Sequence, residues 1–391
     1  MNRVRVAMIG VGNISGIYLK NITGTFDNLE VAGVCDLIPE RARRAVEKYP
    51  QIPKIYGDMY EAFADPEVDI VLNITRAYQH YDVTRAALLA GKNVYSEKPL
   101  ATTLEQGVEL IRIAREKGLM LGGAPDTFLG AGIQTCRRLI DDGFIGTPIG
   151  SAAYMIGCGH ESWHPDPEFY YKRGGGPMMD MGPYYVTALV NLLGQVDGVM
   201  GRTRKAFDQR IITSQPHYGE KIDVDVDTYL TGTLQFSSGA IATLFTTFDV
   251  YYPPFKQADF KIFGTKGTLL VPDPNTFGGP IRLFRPEDQE MHIMGDPALR
   301  QAAMNDPYPG YREVPLMFDY RENSRALGLS DMCKAIETGR QARCNYRQQH
   351  HVLEILTGFE KSSREGRYLP LKTRYERAKP MQNNPMHGIL D

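Results

Sequence analysis

A lysine beside a proline is the first candidate for chemistry in this sequence of 391 residues. Lys98 follows the strand-like run Asn93-Val94-Tyr95-Ser96 and precedes Pro99, so it stands where a short strand is predicted to end. An ammonium group in this position can bind or polarise an oxygen of a substrate. The ordinary interpretation of a lysine in a turn is a solvated side chain. The neighbouring segments of the sequence distinguish this interpretation from a role in catalysis.

A glycine turn near the N-terminus predicts a dinucleotide site. The run Gly10-Val11-Gly12-Asn13-Ile14-Ser15-Gly16 follows the predicted strand 4–9 and precedes a helix predicted from Ile17. Glycines let the backbone approach a pyrophosphate, and the N-terminus of the helix stabilises its charge. Ser15 occupies the third glycine position of G-x-G-x-x-G, so the motif alone has low specificity. The candidate cofactor-binding residues of the turn are Gly10, Gly12, Asn13 and Ile14.

An acidic residue at the end of the second predicted strand favours NAD as the cofactor. The strand 30–35 ends at Asp36, about twenty residues beyond the glycine turn, where a carboxylate can accept hydrogen bonds from the adenosine ribose hydroxyls. This carboxylate would repel a 2′-phosphate, and Leu37 rather than an arginine follows it. NADP is the alternative cofactor, because Arg41 lies nearby on a predicted helix. The structural interpretation of Asp36 is a helix cap before Pro39.

Strands and helices alternate through the first part of the chain and predict a doubly wound parallel sheet. A strand at 69–74, a helix at 79–90, the strand 93–96, a helix at 103–117 and a strand at 119–122 continue the pattern. Ligands of such folds bind at the carboxyl ends of the strands. The polar residues at these ends that we predict to contact the cofactor are Thr75, His80, Glu97 and Lys98.

These motifs resemble those of the Gfo/Idh/MocA family of NAD(P)-dependent oxidoreductases. The residues that carry the resemblance are the glycine turn, Asp36, Ala90-Gly91-Lys92-Asn93-Val94 and Glu97-Lys98-Pro99-Leu100-Ala101. The resemblance implies that Lys98 lies close to both the nicotinamide and the reacting hydroxyl, and that the Lys98–Pro99 peptide is cis. It also implies a Rossmann domain over 1–124, an α+β substrate-binding domain over 125–371 built on an open, mostly antiparallel sheet, and a C-terminal arm over 372–391.

A glycine-rich segment of the second domain resembles the family's Gly-Gly-Gly segment and Asp-x-Gly-x-His motif. It runs from Gly174 to Tyr184, and by this resemblance Asp180 orients the substrate. Tyr184 stands in place of the family's catalytic histidine, so the general base cannot be transferred. Tyr184 could itself accept the proton, with a pKa lowered by Lys98 and the oxidised nicotinamide, and we favour this pair. The alternatives are a base from His160 or His164, Lys98 acting alone, and a site that has lost catalysis.

The sequence His160-Glu161-Ser162-Trp163-His164 matches the H-E-x-x-H zinc motif. That motif requires a helix to bring both imidazoles to one metal ion. Glycines at 157 and 159 and prolines at 165 and 167 leave no room for one, so a zinc hydrolase is the minor alternative and we predict no metal site. A loop that stacks aromatic rings on a sugar is preferred over the zinc site, and packing of these rings on the protein surface is an alternative of equal weight. Its predicted substrate-binding residues are His160, Trp163, His164 and Tyr170.

The pattern of the remaining second domain predicts strands followed by helices. Hairpins are predicted at 228–236 with 240–250 and at 260–263 with 268–271, a long loop at 273–315, and helices at 324–338 and 348–363. By the family resemblance, the exposed face of this sheet makes the subunit interface. We therefore expect a homodimer or a homotetramer.

Composition narrows the class of partners and the compartment. A net charge of −2 gives no basic excess for nucleic acid, so a small molecule is the expected partner. The five cysteines form no Cys-x-x-Cys pair and indicate a reducing compartment. No signal-like segment or membrane-length apolar run is evident, and we predict a cytoplasmic protein without membrane contact.

These features together predict an NAD-dependent dehydrogenase or reductase. It would act on a secondary ring hydroxyl of a sugar, a glycoside or an inositol. Lys98 with Tyr184 would handle the hydroxyl proton, and Asp180 with His160 would hold the ring. The alternative is an NAD-dependent, redox-neutral glycosidase or lyase that acts through a transient ketosugar. A third interpretation is a non-catalytic nucleotide sensor.

Overall fold

The computed structural model describes residues 3–251, 259–288, 297–306, 308, 310–382, 388 and 390. Its first sheet is fully parallel, as predicted. The strands are β1 (Val4–Ile9), β2 (Leu29–Cys35), β3 (Ile70–Asn73), β4 (Asn93–Ser96) and β5 (Leu121–Gly123). Their order is β2-β1-β3-β4-β5, the arrangement of a Rossmann-like sheet.

The helices of the first domain connect these strands and cover the sheet. They are α1 (Ser15–Gly24), α2 (Pro39–Lys48), α3 (Met59–Ala64), α4 (His80–Leu89) and α5 (Leu104–Glu116). Local sequence explains two of the starts: Asp58 accepts a hydrogen bond from Glu61 N, and Thr103 accepts one from Gln106 N. Every residue of β3 is buried, which is expected for a strand covered on both faces.

The second domain contains a nine-stranded mixed sheet. In chain order the strands are β6 (Pro148–Ile156), β7 (Val196–Arg204), β8 (Gln209–Ile211), β9 (Lys221–Asp223), β10 (Tyr229–Phe236), β11 (Ile241–Thr247), β12 (Asp259–Gly264), β13 (Gly267–Leu270), β14 (Ile281–Phe284), β15 (Arg312–Val314) and β16 (Leu369–Pro370). The order in the sheet is β15-β14-β13-β12-β6-β11-β10-β7-β16, and β8 pairs with β9 separately. Only the β6–β11 pair is parallel among these described strands, which confirms the predicted, mostly antiparallel sheet.

One face of this sheet is covered by helices. The helices of the second part are α6 (Ala131–Asp141), α7 (Gly176–Asp180), α8 (Gly182–Leu193), α9 (Pro297–Asn305), α10 (Leu327–Thr338) and α11 (Tyr346–Glu365). All of α8 is buried, so it forms core rather than surface. Gly201 of β7 lets α11 approach the strand closely, because a Cβ there would lie 2.8 Å from Phe359 O. Within the described ranges, every helix is too short or too polar to span a membrane.

Two segments differ from the sequence-based expectation. The predicted long loop at 273–315 contains β14, α9 and β15, and its two strands extend the sheet, although residues 289–296, 307 and 309 lie outside the described part. The predicted arm packs on its own chain through residue 382: Tyr375 and Met381 are buried, and their N–H groups donate to Gln195 and Gln134. Residues 383–387, 389 and 391 lie outside the description.

A buried histidine joins α11 to the tail and to β7. His351 is fully buried, its Nδ1 lies 2.7 Å from Thr373 Oγ1, and its Nε2 accepts a hydrogen bond of 3.1 Å from Val196 N. Because Nε2 accepts, the imidazole must be neutral with its proton on Nδ1. Burial lowers the pKa of His351 from 6.5 to about 4, even though Glu354 opposes this effect.

Acid should therefore destabilise the fold through His351. The unfolded chain binds this proton near pH 6.5 and the folded chain near pH 4, so stability is lost as pH falls through this window. We expect the free energy of unfolding to drop by about 2 kcal/mol between pH 7 and pH 5, measured by urea denaturation. His351→Gln should be less stable at pH 7 but should lose this part of the pH dependence. An equal pH dependence in both proteins would contradict the assignment.

Candidate active site

The glycine turn between β1 and α1 leaves its outer side open. Gly10 has a φ of +95°, and a Cβ there would lie 2.9 Å from Ile74 O, so only glycine fits. A Cβ on Gly12 would meet nothing within 4 Å. Ser15 replaces the third glycine without conflict, since its hydroxyl donates to Gly12 O at 2.7 Å. The first N–H groups of α1 have no acceptor within the helix, and the turn therefore fits the pyrophosphate of a dinucleotide.

Asp36 connects the end of β2 to this turn. Its Oδ2 accepts from Val11 N at 2.6 Å and its Oδ1 from Ile38 N at 2.8 Å. The guanidinium of Arg41 lies 3.9 Å from Oδ1. A carboxylate held beside the glycine turn is positioned for ribose hydroxyls, as the sequence predicts.

Lys98 joins the two domains through a partly buried ion pair. Its Nζ donates to Asp180 Oδ1 at 2.8 Å and to the backbone oxygen of Asp180 at 2.6 Å. The same Nζ lies 5.1 Å from the centroid of the Tyr184 ring. The Lys98–Pro99 peptide is cis, which confirms the expectation from the family resemblance. The three predicted catalytic residues therefore lie together.

The charges of this pair are mutually stabilised. Burial alone would lower the pKa of Lys98, but Asp180, Tyr184 and Glu97 outweigh it, and the pKa is raised. Burial alone would raise the pKa of Asp180, but Lys98 and His160 outweigh it, and the pKa is lowered. At neutral pH the pair is an ammonium and a carboxylate. Lys98 in this state donates hydrogen bonds and cannot accept a proton.

Tyr184 differs from the expectation in its proton affinity. Only 7% of it is exposed. Burial raises the pKa of the phenol, and this effect outweighs the nearby charges of Lys98 and Arg325. The expectation that Lys98 lowers the pKa of Tyr184 is therefore wrong for the protein alone. Desolvation destabilises the buried phenolate more than Lys98 stabilises it, because the charge of Lys98 is already paired with Asp180. The phenol is neutral at physiological pH.

The loop between β6 and α7 places an aromatic cluster beside Asp180. His160 Nε2 lies 3.2 Å from Asp180 Oδ2. The ring of His160 contacts Tyr170, Phe248 and Trp163 at centroid distances of 3.9, 4.7 and 5.3 Å. Its Nδ1 is buried and has no hydrogen-bond partner among the described atoms. Trp163 is 60% exposed, so an aromatic face is open to a ligand.

His164 occupies a different position from its predicted partner His160. Its Nε2 lies 3.3 Å from Asn13 Nδ2 in the glycine turn, and its Nδ1 accepts from Asp166 N at 3.0 Å. Nearby, Arg76 forms an ion pair with Asp166 and lies over the ring of Phe169. These contacts attach the loop to the cofactor domain. They do not indicate the predicted role of His164 in substrate binding.

The zinc interpretation lacks its structural requirement. Residues 160–164 form a single turn, closed by a bond of 3.0 Å from His164 N to His160 O, and no helix continues it. Glu161 is buried and bonded to Tyr171 and Arg210, so its carboxylate is not free to act as a base. No group of three or more residues with metal-binding side chains was found in the described ranges.

The remaining predicted cofactor residues hold the strand ends in place. His80 is 1% exposed, with Nδ1 at 2.8 Å from Pro99 O and Nε2 at 3.0 Å from Thr75 O, so neither nitrogen is available to a cofactor. Glu97 accepts hydrogen bonds from Tyr18 and from Lys98 N. Thr75 donates to an asparagine side chain of β3. These contacts correct the predicted direct role of His80, because both of its nitrogens face backbone carbonyls.

Sequence reasoning missed two residues of the site. Phe248, which follows β11, packs on His160, and Tyr18 of α1 donates a hydrogen bond to Glu97. Phe248 comes from a distant segment without a motif, and Tyr18 lies in the helix that follows the glycine turn.

A parallel sheet with an open glycine turn is joined by a partly buried lysine–aspartate pair to a second sheet, and this arrangement is that of a two-domain nucleotide-binding oxidoreductase. The chain belongs to the Gfo/Idh/MocA family. Residues 4–123 match the model described as "Oxidoreductase family, NAD-binding Rossmann fold", and residues 133–270 match the model of the GFO/IDH/MocA C-terminal domain.

Curated relatives and solved structures agree with this assignment. The chain is similar to an inositol 2-dehydrogenase/D-chiro-inositol 3-dehydrogenase of Lactiplantibacillus plantarum, 32% identical over 37% of this chain and 42% of the relative. It is also similar to a D-xylose dehydrogenase of Paenarthrobacter nicotinovorans, 27% identical over 59% of this chain and 61% of the relative. The matches thus span about half of these relatives' lengths. An NAD binding oxidoreductase of Klebsiella pneumoniae has the same fold, with a TM-score of 0.78, 21% identity and coverage of 95% of this chain and all of that one.

Replacing Asp36 should change the preference between the two cofactors. Asp36→Asn keeps an oxygen for Val11 N but removes the charge, and we expect the Kd for NAD to rise about 10-fold and that for NADP to fall. Isothermal titration calorimetry with both nucleotides measures this. Asp27→Asn, an exposed residue just before β2, is the control. Equal changes for both nucleotides would argue against a ribose contact.

Proposed function

We propose that this protein is an NAD-dependent dehydrogenase or reductase that acts on a secondary ring hydroxyl of a sugar, a glycoside or an inositol. The observation that carries the proposal is the contact of Lys98, at the end of β4, with Asp180 of the second domain, which His160 also contacts. Lys98 lies in the same domain as the glycine turn that fits a dinucleotide. Names of the curated relatives support a cyclic polyol as the substrate class.

The Lys98–Asp180 pair would bind two neighbouring hydroxyls of one ring. The ammonium donates to the oxygen of the hydroxyl that is oxidised, and the carboxylate accepts from the adjacent one. Bound NAD supplies the hydride acceptor. Because the pair is already charged and only partly exposed to water, it offers a fixed polar environment as charge develops on the substrate oxygen.

The aromatic cluster would hold the ring against this pair. Trp163 offers a flat face to the C–H face of a sugar, as aromatic residues do in many binding sites, and Tyr170 stacks on His160 beside it. His160 contacts both and also lies next to Asp180, so it can position a hydroxyl at the edge of the ring.

Tyr184 is our proposed proton carrier. Its neutral phenol donates a proton to the carbonyl oxygen in the reduction direction, and its phenolate accepts the hydroxyl proton in the oxidation direction. Lys98 at rest is an ammonium and therefore cannot accept the hydroxyl proton in the oxidation direction. The raised pKa of Tyr184 means that oxidation should speed up as pH rises and reduction should slow down.

The open face of the large sheet is our proposed subunit interface. Met200, Tyr229, Ile241 and Phe245 lie on the face opposite to α8 and α11, and Met200 and Ile241 are exposed. A homodimer or homotetramer would bury these side chains. Analytical ultracentrifugation should show an oligomer for the wild type and a smaller species for Ile241→Glu. A monomeric wild type would overturn this part.

The function is tested with purified protein, NAD and a panel of free sugars, inositols and aryl glycosides. We expect reduced nicotinamide, measured by absorbance, together with a ketosugar product. Aglycone release without net reduction, and only with NAD present, would instead show a redox-neutral glycosidase. Binding of NAD without turnover of any compound would indicate a sensor.

Removing the charge of Lys98 should abolish most turnover. We expect Lys98→Met to lower kcat by about 10²–10⁴-fold, the range for loss of one acid–base or electrostatic group, with little change in the Kd for NAD. Lys20→Met, an exposed lysine of α1, is the control. Normal turnover in Lys98→Met would remove this residue from the proposed mechanism.

A further inference from the structure

Arg210 of β8 reaches the loop that carries His160. Its strand lies outside the large sheet and pairs with β9 in a separate hairpin. The guanidinium is largely buried: Nε donates to Glu161 Oε1 at 2.5 Å, and Nη2 donates to Cys158 O at 2.5 Å. Cys158 and Glu161 lie on either side of His160 in the chain. One side chain therefore holds the loop both before and after His160.

The third nitrogen of Arg210 holds the segment that packs on the ring of His160. Nη1 donates to Phe248 O at 3.1 Å and to Asp249 Oδ1 at 3.2 Å. The ring of Phe248 lies 4.7 Å from the ring of His160, centroid to centroid. Both the backbone of His160 and the wall beside its imidazole thus depend on the same guanidinium.

The backbone next to His160 lies directly on the Arg210–Glu161 pair. Gly159 has a φ of +93°, and a Cβ there would collide with the carboxylate of Glu161 and with the hydroxyl of Tyr171. That hydroxyl donates to the second oxygen of Glu161. Because the pair is buried and fully bonded, the loop backbone has little freedom to move away from it.

The position of His160 determines how Asp180 is oriented. Asp180 Oδ1 accepts a hydrogen bond from Lys98, and Oδ2 lies 3.2 Å from His160 Nε2. A carboxylate contacted at both oxygens keeps its remaining lone pairs in fixed directions. In the proposed function these lone pairs accept a hydrogen bond from the hydroxyl beside the one that is oxidised.

We propose that Arg210 is a positioning residue that, through His160, fixes Asp180 for the second of two neighbouring hydroxyls and so determines specificity for a vicinal diol. The inference rests on the proposed function and names the substrate feature that the site recognises. Arg210 acts through the loop and takes no part in hydride or proton transfer. An arginine suits this role because its planar fork of donors reaches several acceptors at once.

Two variants separate the geometry of Arg210 from its charge. Arg210→Lys keeps a cation near Glu161 and Asp249 but loses the fork. Arg210→Gln combined with Glu161→Gln removes both charges of the buried pair, so it avoids an unpaired carboxylate at Glu161. Arg112→Gln, which removes the exposed pair with Glu116 on α5, is the control. Far-UV circular dichroism and urea denaturation report whether each variant is folded.

The first test follows the loop without any ligand. Trp163 is the only tryptophan of the chain, and its ring lies 5.3 Å from that of His160, so its fluorescence reports on this loop alone. Time-resolved anisotropy detects nanosecond motion of the ring. We expect the amplitude of the fast decay to rise at least about two-fold in Arg210→Lys and in the double variant, and to stay unchanged in Arg112→Gln. Unchanged decays in folded variants of Arg210 would overturn the proposal.

The second test measures specificity. It compares a panel compound that is turned over with its analogue lacking one neighbouring hydroxyl, such as glucose with 2-deoxyglucose or an inositol with a deoxyinositol. Arg210→Lys should lower kcat/KM for the diol about 10-fold and that for the deoxy analogue by less than about two-fold. Equal losses on both compounds would show that Arg210 only supports the fold.

A double-mutant cycle tests the route through His160. His160→Phe keeps an aromatic ring in the cluster but removes the contact with Asp180. In this background Arg210→Lys should change the preference for the diol by less than about two-fold, because the two residues act in series. An undiminished effect would contradict the route. The fluorescence test needs no turnover, so a changed decay in a protein inactive on the whole panel would sustain the Arg210 contacts as the support of the loop and reject the dehydrogenase.

Discussion

The partly buried ion pair between Lys98 and Asp180 is the interaction on which the candidate site depends. It connects the carboxyl end of β4 to the end of α7, so it joins the parallel sheet to the mixed one at one point. Burying two charges costs several kcal/mol each unless geometry and further hydrogen bonds compensate. Here the backbone oxygen of Asp180 and the imidazole of His160 supply those further contacts.

The surrounding residues serve this pair in two ways. His80 and Glu97 hold the backbone around the cis peptide, with His80 between two carbonyl oxygens and Glu97 bonded to Lys98 N. The loop of residues 157–175 brings His160 to the other side of Asp180. Its shape is maintained by the buried Glu161, whose partner Arg210 also contacts Asp249 after β11. The positions of Lys98 and Asp180 are therefore fixed by groups that do not themselves need to contact a substrate.

Sequence reasoning found the parts of the site that are encoded locally. A glycine with positive φ, a carboxylate at a strand end and a lysine before a proline each have a local signature, and the parallel sheet follows from alternating patterns. Phe248 has no such signature, because its role comes from packing on His160, which belongs to a distant part of the chain. The pKa of Tyr184 departs from the expectation for the same reason: the sequence shows Lys98 as a neighbour but not the burial that outweighs it. β14 and β15 were not predicted from the sequence. They are short strands in a segment rich in proline, glycine and aspartate, and they are stabilised by pairing with the sheet that they extend.

The contact between His164 and Asn13 has a thermodynamic consequence. It joins the loop that carries His160 and Trp163 to the turn where a pyrophosphate fits. If a dinucleotide favours one arrangement of that turn, it favours the loop arrangement attached to it. Coupling between two binding sites is reciprocal. A sugar ring bound at the loop would then raise the affinity for the dinucleotide by the same factor by which the dinucleotide raises the affinity for the ring. Under that condition, occupancy of one site would change the affinity of the other through these two side chains, which is cooperativity within a single subunit.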